Sequence, residues 1–542
     1  MKRLFLTALA GVFLMGGSAA AADWYVDATL GLDTNSCTAP GLSACKTIQA
    51  AINKASPNDT IHVAAGTYPE PAGPLTVNKT LSLLGAQSGV DARGRVATES
   101  IVTDSQGTYV TANGVVIDGF TIQDSTNQAF TGYGIAMGAG TTGTEILNNI
   151  IQNNIVGIGL ANSGASPVLI WHNQIQNNNT PGGASGTGIY TDEFVSGGAV
   201  KDVLIEENAF IGNVDAGIDV SNTALPGVSN LEVSKNTFDA NGRAVLLFNT
   251  HKSSIHDNSI SNSTLTGSAA IRLFDNNSDL TILNNDLTNG VGHAIRINFL
   301  GFVGTPSSDV VINENNIGTV GSASFVGDGL LVNAGGHVGT VNAECNWWGS
   351  STGPTNGGNP GGTGEEVVGD ADFTPWLVLP APGGQCLGGA TPTPGKVTGG
   401  GQIESDPVFS PLGDLVSLPA LIPSLADPTA EATFGFVVRC CAPAGNLEYN
   451  DHQADVRIKA QSLDGLFISS PGTSCPATPG SNHATFHGMA AVIRSTGTNN
   501  EPFTVDVDDC GEPGTADTFG IKTLTYSNGP STLIGGNIQI HK

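Results

Sequence analysis

The sequence predicts an all-β chain: a parallel β-helix solenoid followed by a small β-sandwich or β-barrel domain. Three observations carry this reading. A six-residue pattern (apolar, two mostly polar residues, Asn, any residue, apolar) recurs around Asn149, Asn173, Asn208, Asn236, Asn258, Asn285 and Asn315, at steps of 22 to 35 residues. Repeats at that period mean stacked units, none of which buries its apolar face without its neighbours. Each unit also carries a small residue, an aliphatic, any residue and an aliphatic, as in Gly157-Ile158-Gly159-Leu160, Gly217-Ile218-Asp219-Val220, Ala270-Ile271-Arg272-Leu273 and Ala294-Ile295-Arg296-Ile297. That alternation is the period-2 signal of a strand with one buried face. Finally, only 12% of residues are charged and 73 are glycine, a composition that suits a turn-rich extracellular β protein.

The recurring Asn has a structural role in this reading. Asn tolerates left-handed backbone and bonds nearby backbone groups, and stacked Asn side chains can bond one another inside the coil.

Residues 1–22 read as a secretory signal: Lys2 and Arg3, an apolar run from Leu4 to Met15, then small residues to Ala22. The run is too short to span a bilayer, and no later segment is long and apolar enough. The chain is therefore expected to be extracellular or at the cell surface, and monomeric. Its eight cysteines are expected in disulfides. Cys37 with Cys45 closes a short loop, and Cys345 with Cys386 staples the end of the repeats. Pairing among Cys440, Cys441, Cys475 and Cys510 stays open. The net charge of −27 opposes binding to nucleic acid or an anionic membrane.

Residues 23–380 form the solenoid. Trp24-Tyr25-Val26 starts a strand, and Ile48, Ala51, Ile52 and Ala55 fall at helical spacing. Thr60–Val63 is a strand, Gly66-Thr67-Tyr68 a turn, and Leu81–Gly85 a further strand. The run Lys46-Thr47-Ile48-Gln49-Ala50-Ala51-Ile52, then Asp59–Val63, then Gly66-Thr67-Tyr68 resembles the N-terminal cap of the pectin-lyase-like right-handed parallel β-helix superfamily. The resemblance covers about residues 24–380 and implies right-handed coils. It also implies a family that holds pectate lyases, polygalacturonases, other polysaccharide lyases, epimerases and surface proteins without known activity. Coils run from Ile101 to Ala343. Cys345-Asn346-Trp347-Trp348-Gly349 and Phe373-Thr374-Pro375-Trp376-Leu377 are similar to the closing motif of bacterial surface β-helix proteins. Their three tryptophans are expected to cap apolar core, with a carbohydrate-stacking platform as the rival.

Residues 381–395 are a Pro/Gly/Thr linker. Residues 396–542 lose the Asn repeat and carry strand-like runs at Ala432–Arg439, Asp455–Ala460, Ala484–Ile493 and Phe503–Val507. This domain resembles the post-COAP-1 family of small appended β domains.

Chemistry is sought on the outer face of the coils, where neighbouring strands lie about 4.8 Å apart and equivalent residues form columns. The third residue of the aliphatic marker gives the column Gly159, Tyr190, Asp219, Leu246, Arg272, Arg296, Leu331. The coil body confines its cations to the middle: Lys201, Lys235, Arg243, Lys252, Arg272 and Arg296. Arg272 and Arg296 on adjacent turns repel unless an anion lies between them. One reading is a cationic strip for an acidic sugar chain. The other pairs both arginines with Asp219, Asp275 or Asp286 on a solvated face.

A glycosidase needs two carboxylates, for which Asp192 and Asp219 on successive turns are candidates. A uronate lyase needs a base and a cation on the sugar carboxylate. His251 or His293 would serve as base. Arg272 or Arg296 would neutralise, with Ca²⁺ on Asp192, Glu193 or Asp219 as the alternative. Tyr190, Arg243, Lys252, Asp275 and His293 are the candidate substrate contacts. The hydrolase motifs Asn-Thr-Asp, double Asp, Gly-His-Gly and Arg-Ile-Lys are absent from the coils, as is the epimerase Asp-Pro-His. Only Gly292–Ile297 echoes them, so the family's activities do not transfer residue by residue. A second Ca²⁺ candidate is Asp506, Asp508, Asp509 and Glu512, with Asp517 beyond, weighed against a solvated acidic turn. No cofactor is required by this reading. The expected partner is a polysaccharide, polyuronide or cell-envelope glycan. The alternative is a non-catalytic adhesin or envelope protein.

Overall fold

The computed structural model describes residues 21–69, 73–103, 106–128, 132–319, 324–381, 384–390, 392–408, 431–440 and 444–542. The expected signal, apart from Ala21 and Ala22, lies outside these residues, as does Cys441.

Three parallel sheets of 13, 12 and 10 strands wrap the body. One coil illustrates the path. Glu145–Leu147 lies in the first sheet, Ile150–Gln152 in the third and Val156–Gly159 in the second. The chain then loops to Val168–Trp171, back in the first sheet one strand on. The corner from first sheet to third is short and constant, two residues at 148–149 and again at 172–173. The corner from third to second varies, three residues at 153–155 against ten at 177–186, and the corner from second back to first varies too, so the Asn steps differ while the strands keep register.

The Asn repeat is a ladder inside the coil. Asn149, Asn173, Asn208, Asn236, Asn258, Asn285 and Asn315 are buried, and each passes its side-chain amide to the carbonyl oxygen of the next. Asn346 of the closing motif extends it. The left-handed backbone expected at these residues falls instead one position earlier. Asn148, His172, Glu207, Lys235, Asp257, Asn284, Glu314 and Cys345 all have φ between 52° and 58°. The tight corner puts its strain on the outward residue and leaves the Asn free to reach the ladder. A second ladder, Asn154–Asn178–Asn213–Asn241, lines the next corner. Its sequence signal is an Asn five residues after the first in four consecutive turns.

Both ends of the tube are closed. α1 (Ile48–Lys54), N-capped by the Thr47 hydroxyl, lays Ile48, Ala51 and Ile52 over the first coil. The expected turn Gly66-Thr67-Tyr68 is instead the strand Gly66–Pro69, which founds the third sheet against Ser100–Thr103. Its Tyr68 ring is buried, which an exposed turn would forfeit. At the far end Trp347, Trp348 and Trp376 are all buried, so they cap core and offer no stacking platform. The linker is pinned. Cys386–Gly388 pairs with Trp376–Leu377, Cys386 is bonded to Cys345, and Thr393 donates its backbone N–H to Leu466. Cys37–Cys45 and Cys475–Cys510 are also bonded.

The C-terminal domain is one antiparallel sheet of ten strands, curled until Phe434 stacks on Phe519 at 3.9 Å across its interior. The final strand, Gly535–His541, reaches the strand ending at Asp509. There Asp517 accepts the Ile538 N–H and Asp509 accepts the Ile540 N–H. These carboxylates substitute for ladder partners at an otherwise open edge. The four residues weighed as a calcium loop are each engaged by other partners. Asp506 faces Thr485 and Gln385, Asp508 faces Thr473, Ser474 and Thr518, Asp509 closes the sheet, and Glu512 takes Asn537 and Gln539. Among the described residues, no group of three or more His, Cys, Asp or Glu side chains is disposed to hold a metal.

His483 bridges Asp508 and Asp506. Burial by itself would lower its pKa, but hydrogen bonds to both carboxylates outweigh that and raise it above 6.5. Asp508 is buried too, yet the Ser474 and Thr473 donors hold its carboxyl at about 2, against an ordinary 3.8. The raised histidine stabilises fully below its unfolded pKa of 6.5 and ceases to as pH rises through its folded value. The depressed carboxylate stabilises above 3.8 and ceases to as pH falls towards about 2. Domain stability is thus expected to peak between those limits in a calorimetric pH series. His483→Asn should flatten the alkaline edge and, because His483 also lowers the Asp506 carboxyl, soften the acid edge to a lesser degree.

Candidate functional site: a strip on the second sheet

The second sheet stacks Gly159, Tyr190, Asp219, Leu246, Arg272, Arg296 and Leu331 as paired residues on seven successive strands. An adjoining outer position holds Ala269 paired with His293. Tyr190, Asp219, Arg272 and Arg296 therefore share one face, with Asp192, Arg243 and His293 beside them.

The acidic end is built around Tyr190. Its hydroxyl donates to Asp192 Oδ2 at 2.9 Å. Burial, with the Asp192 and Asp219 charges adding to it, raises the phenol pKa well above its usual value. Asp192 is the N-cap of the short helix α2 (Glu193–Ser196), its Oδ1 accepting the Phe194 and Val195 N–H groups. Both of its oxygens are engaged. Glu193 accepts the backbone N–H and the hydroxyl of Thr223. Asp219 differs. It is only 7% exposed and holds one short hydrogen bond, 2.5 Å, from the Ser221 hydroxyl. Burial lifts its pKa to about 6 against that bond, with the nearby Asp215 and Asp192 charges pushing the same way and Arg243 opposing.

The cationic end is uneven. Arg243 pairs with Asp215 at 2.7 Å and donates to the Ser268 hydroxyl. Arg296 donates to Asn333 Oδ1 and the Gly267 carbonyl, both neutral. Arg272 lies 4.4 Å over the Phe274 ring and donates from one nitrogen to Ser268, while its Nε is buried without a partner among the described residues. Burial and then the Arg296 and Arg243 charges lower its pKa to about 10. His293 Nδ1 lies 2.9 Å from the Asp328 backbone nitrogen and 3.1 Å from its Oδ2. Burial lowers its pKa despite Asp328, and Arg296 pushes the same way.

The carboxylates expected to neutralise the arginines are occupied elsewhere. Asp275, fully buried, accepts the N–H groups of Leu300, Phe302 and Val303. Asp286 takes the Asn316 amide. Asp275 is therefore not at the surface where a substrate contact would be. His251 and Lys252 stand on the first sheet, one face round the coil. His251 is held by Ser278 and Asn249, and burial lowers its pKa. Local spacing placed them near the strip, but the corner at Phe248-Asn249 turns them away from it.

Sequence reading missed Ser221, Phe248, Phe274 and Asn333. Each lies two residues beyond a column position, so the same period-2 argument places them on the outer face.

A family model described as the right handed beta helix region matches residues 88–260. No curated protein matches. Similar solved structures include an alginate lyase from Paenibacillus sp. str. FPU-7, 15% identical, covering 60% of this chain and 96% of that one, TM-score 0.37. The mannuronan C-5 epimerase AlgE6 A-module of Azotobacter vinelandii is 12% identical, covering 60% and 94%, TM-score 0.30. The tailspike gp49 of Acinetobacter baumannii bacteriophage Fri1, a capsular polysaccharide depolymerase, is 10% identical, covering 96% and 84%, TM-score 0.27. Residues 88–260 are matched as right handed beta helix, and unbroken strand pairing from Asp23 to Asp372 makes the whole body one right-handed parallel β-helix.

Proposed function

We propose that the second-sheet strip engages an acidic polysaccharide, a polyuronide, with sugar carboxylates on Arg272 and Arg296. The observation that carries this reading is Arg272. It is a half-buried guanidinium between two other arginines, with no carboxylate partner among the described residues and with a buried N–H unbonded. A buried cation left uncompensated costs stability unless a ligand supplies the missing charge. A planar carboxylate fits the guanidinium fork.

Asp219 is the candidate proton donor for cleaving the glycan. With a pKa of about 6 it is a carboxylic acid in mildly acidic conditions, as a leaving sugar oxygen requires. The second reading, a non-catalytic binding module, is favoured by one observation: Asp192, the second carboxylate weighed beside Asp219, is spent capping α2.

Polygalacturonate, alginate and a neutral glycan, each with and without chelator, separate these readings. The acidic chains are expected to bind more tightly than the neutral glycan. Turnover, if Asp219 is the acid, should decline as pH rises past about 6 and vanish in Asp219→Asn, which loses an anion from the strip and so retains affinity. Equal turnover by Asp219→Asn removes Asp219 from the chemistry. Binding without turnover establishes the module reading, and equal affinity for the neutral glycan sinks the strip.

A further inference from the structure

Among the described residues, the most exposed large apolar side chains on the corner loops that return from second sheet to first are Phe194, Leu225 and Phe302. Phe302 is braced from two sides. Its loop folds back over the outer face of the second sheet, where Val303 packs with Leu246, Phe248 and Phe274 in a small cluster outside the coil. Beneath the loop, fully buried Asp275 receives three backbone N–H groups, from Leu300 at 2.6 Å, Phe302 at 2.5 Å and Val303 at 3.2 Å. The Phe302 ring, 70% exposed, stands edge-on to Phe248 at 6.3 Å. Phe248 stacks on Phe274 at 4.4 Å, and Arg272 covers the other end of this row.

A buried carboxylate spent on three loop amides fixes an apolar ring in water. An exposed Phe on a loop without such bracing would be free to turn. Rigid aromatic area beside a few aimed polar groups is how binding sites orient ligands. A pyranose has an apolar C–H face and, in a uronate, a carboxylate at its edge. The exposed Phe302 ring and the Arg272 guanidinium stand at opposite ends of the buried Phe248–Phe274 pair, so apolar area and cation follow one another along one face.

We propose that Phe302 is a sugar-stacking residue, taking the C–H face of one pyranose while the carboxylate of the same chain reaches Arg272, and that Asp275 is the positioning residue that holds the ring in place. This deepens the polyuronide reading and rests on it.

Affinities for polygalacturonate and for its methyl-esterified form, each across a salt series, test the proposal. Phe302→Ala is expected to weaken both by about tenfold, the size of a lost aromatic contact, with the salt dependence unchanged. Phe302→Trp should restore or tighten binding, and its indole fluorescence should shift on adding either glycan. Asp275→Asn should weaken binding no further once Phe302 is already Ala. Loss of charge at Arg272 and Arg296 acts differently, removing the salt dependence and sparing the esterified chain. If Phe302→Ala leaves both affinities unchanged while the arginine variants lose polygalacturonate, stacking is overturned and the cationic strip stands. If Asp275→Asn weakens binding equally with and without Phe302, its positioning role is overturned. Binding of neither glycan by the native chain overturns stacking and strip together.

Discussion

Replacing Arg272 and Arg296 together by methionine is expected to cost the protein its acidic glycan and at the same time make the empty protein more stable. A charge-assisted hydrogen bond contributes roughly 1.5–3 kcal/mol, so two lost arginines amount to about 3–6 kcal/mol, or a factor between ~10² and ~10⁴ in affinity. Without ligand the sign reverses. Arg272 and Arg296 pair on strands about 4.8 Å apart, and two charges at that spacing repel by roughly 1 kcal/mol at water-like screening and about 3 kcal/mol at the screening typical of a protein surface. Against that, the contact of Arg272 with Phe274 contributes roughly 0.5–1 kcal/mol. Methionine keeps the apolar stem over the ring, and the hydrogen bonds given up run to neutral acceptors, Ser268 and Asn333 among them. The net effect is a gain on the order of 1 kcal/mol. Calorimetric titration with oligogalacturonate and a thermal melt of the same variant check both halves. Lysine at both positions should bind at an intermediate level, because it keeps the charge and loses the fork. A variant that binds as the native chain does, or that melts lower, would show that the arginines are structural.

The largest loss of stability is expected from Asn236→Ala, inside the coil. Asn236 Oδ1 accepts the backbone N–H of Asn208 at 2.8 Å and its side-chain amide at 3.0 Å. Its own amide donates to the Ile205 carbonyl at 2.8 Å and to Asn258 Oδ1 at 3.1 Å. Alanine takes a partner from each of these four buried groups, which lie on the turns before and after. At about 1 kcal/mol for each bond the sum is ~4 kcal/mol, less whatever water entering the vacated space recovers. The effect should be local first, because a solenoid's turns depend on their nearest neighbours. Amide exchange at Asn208 is expected to accelerate before exchange at Asn149 or Asn315 changes. Uniform acceleration along the stack, or none, would mean that the ladder is not what couples adjacent turns.

The proposed polyuronide reading gives the strip two sources of specificity, which should fail in different ways. Selection by the arginines would be for charge and would depend on salt. Selection by the braced ring at Phe302 would be for a flat apolar face and would be indifferent to salt. Their closeness follows from a single loop that reaches back across two turns.

The ladder asparagines, the outer column from Gly159 to Leu331 and the position of α1 were legible in the amino-acid order. Each depends on a short local pattern repeated once per turn, and stacking turns without slippage carries that pattern into three dimensions. Which partner each charge found was not legible. Asp275 directly follows a marker, in Arg272-Leu273-Phe274-Asp275, and by spacing alone reads as a neighbour for Arg272. Folding instead puts the amides of Leu300, Phe302 and Val303 on it. His251 and Lys252 are close to the strip along the chain and on another face in space, because the turn at Phe248-Asn249 intervenes. The carboxylates Asp509 and Asp517, which read as a cation loop, close a curled sheet through its last strand. Strand register follows from local periodicity. Charge pairing, and the path of a loop whose length varies along the stack, follow from contacts between distant segments that exist only once the tube has closed.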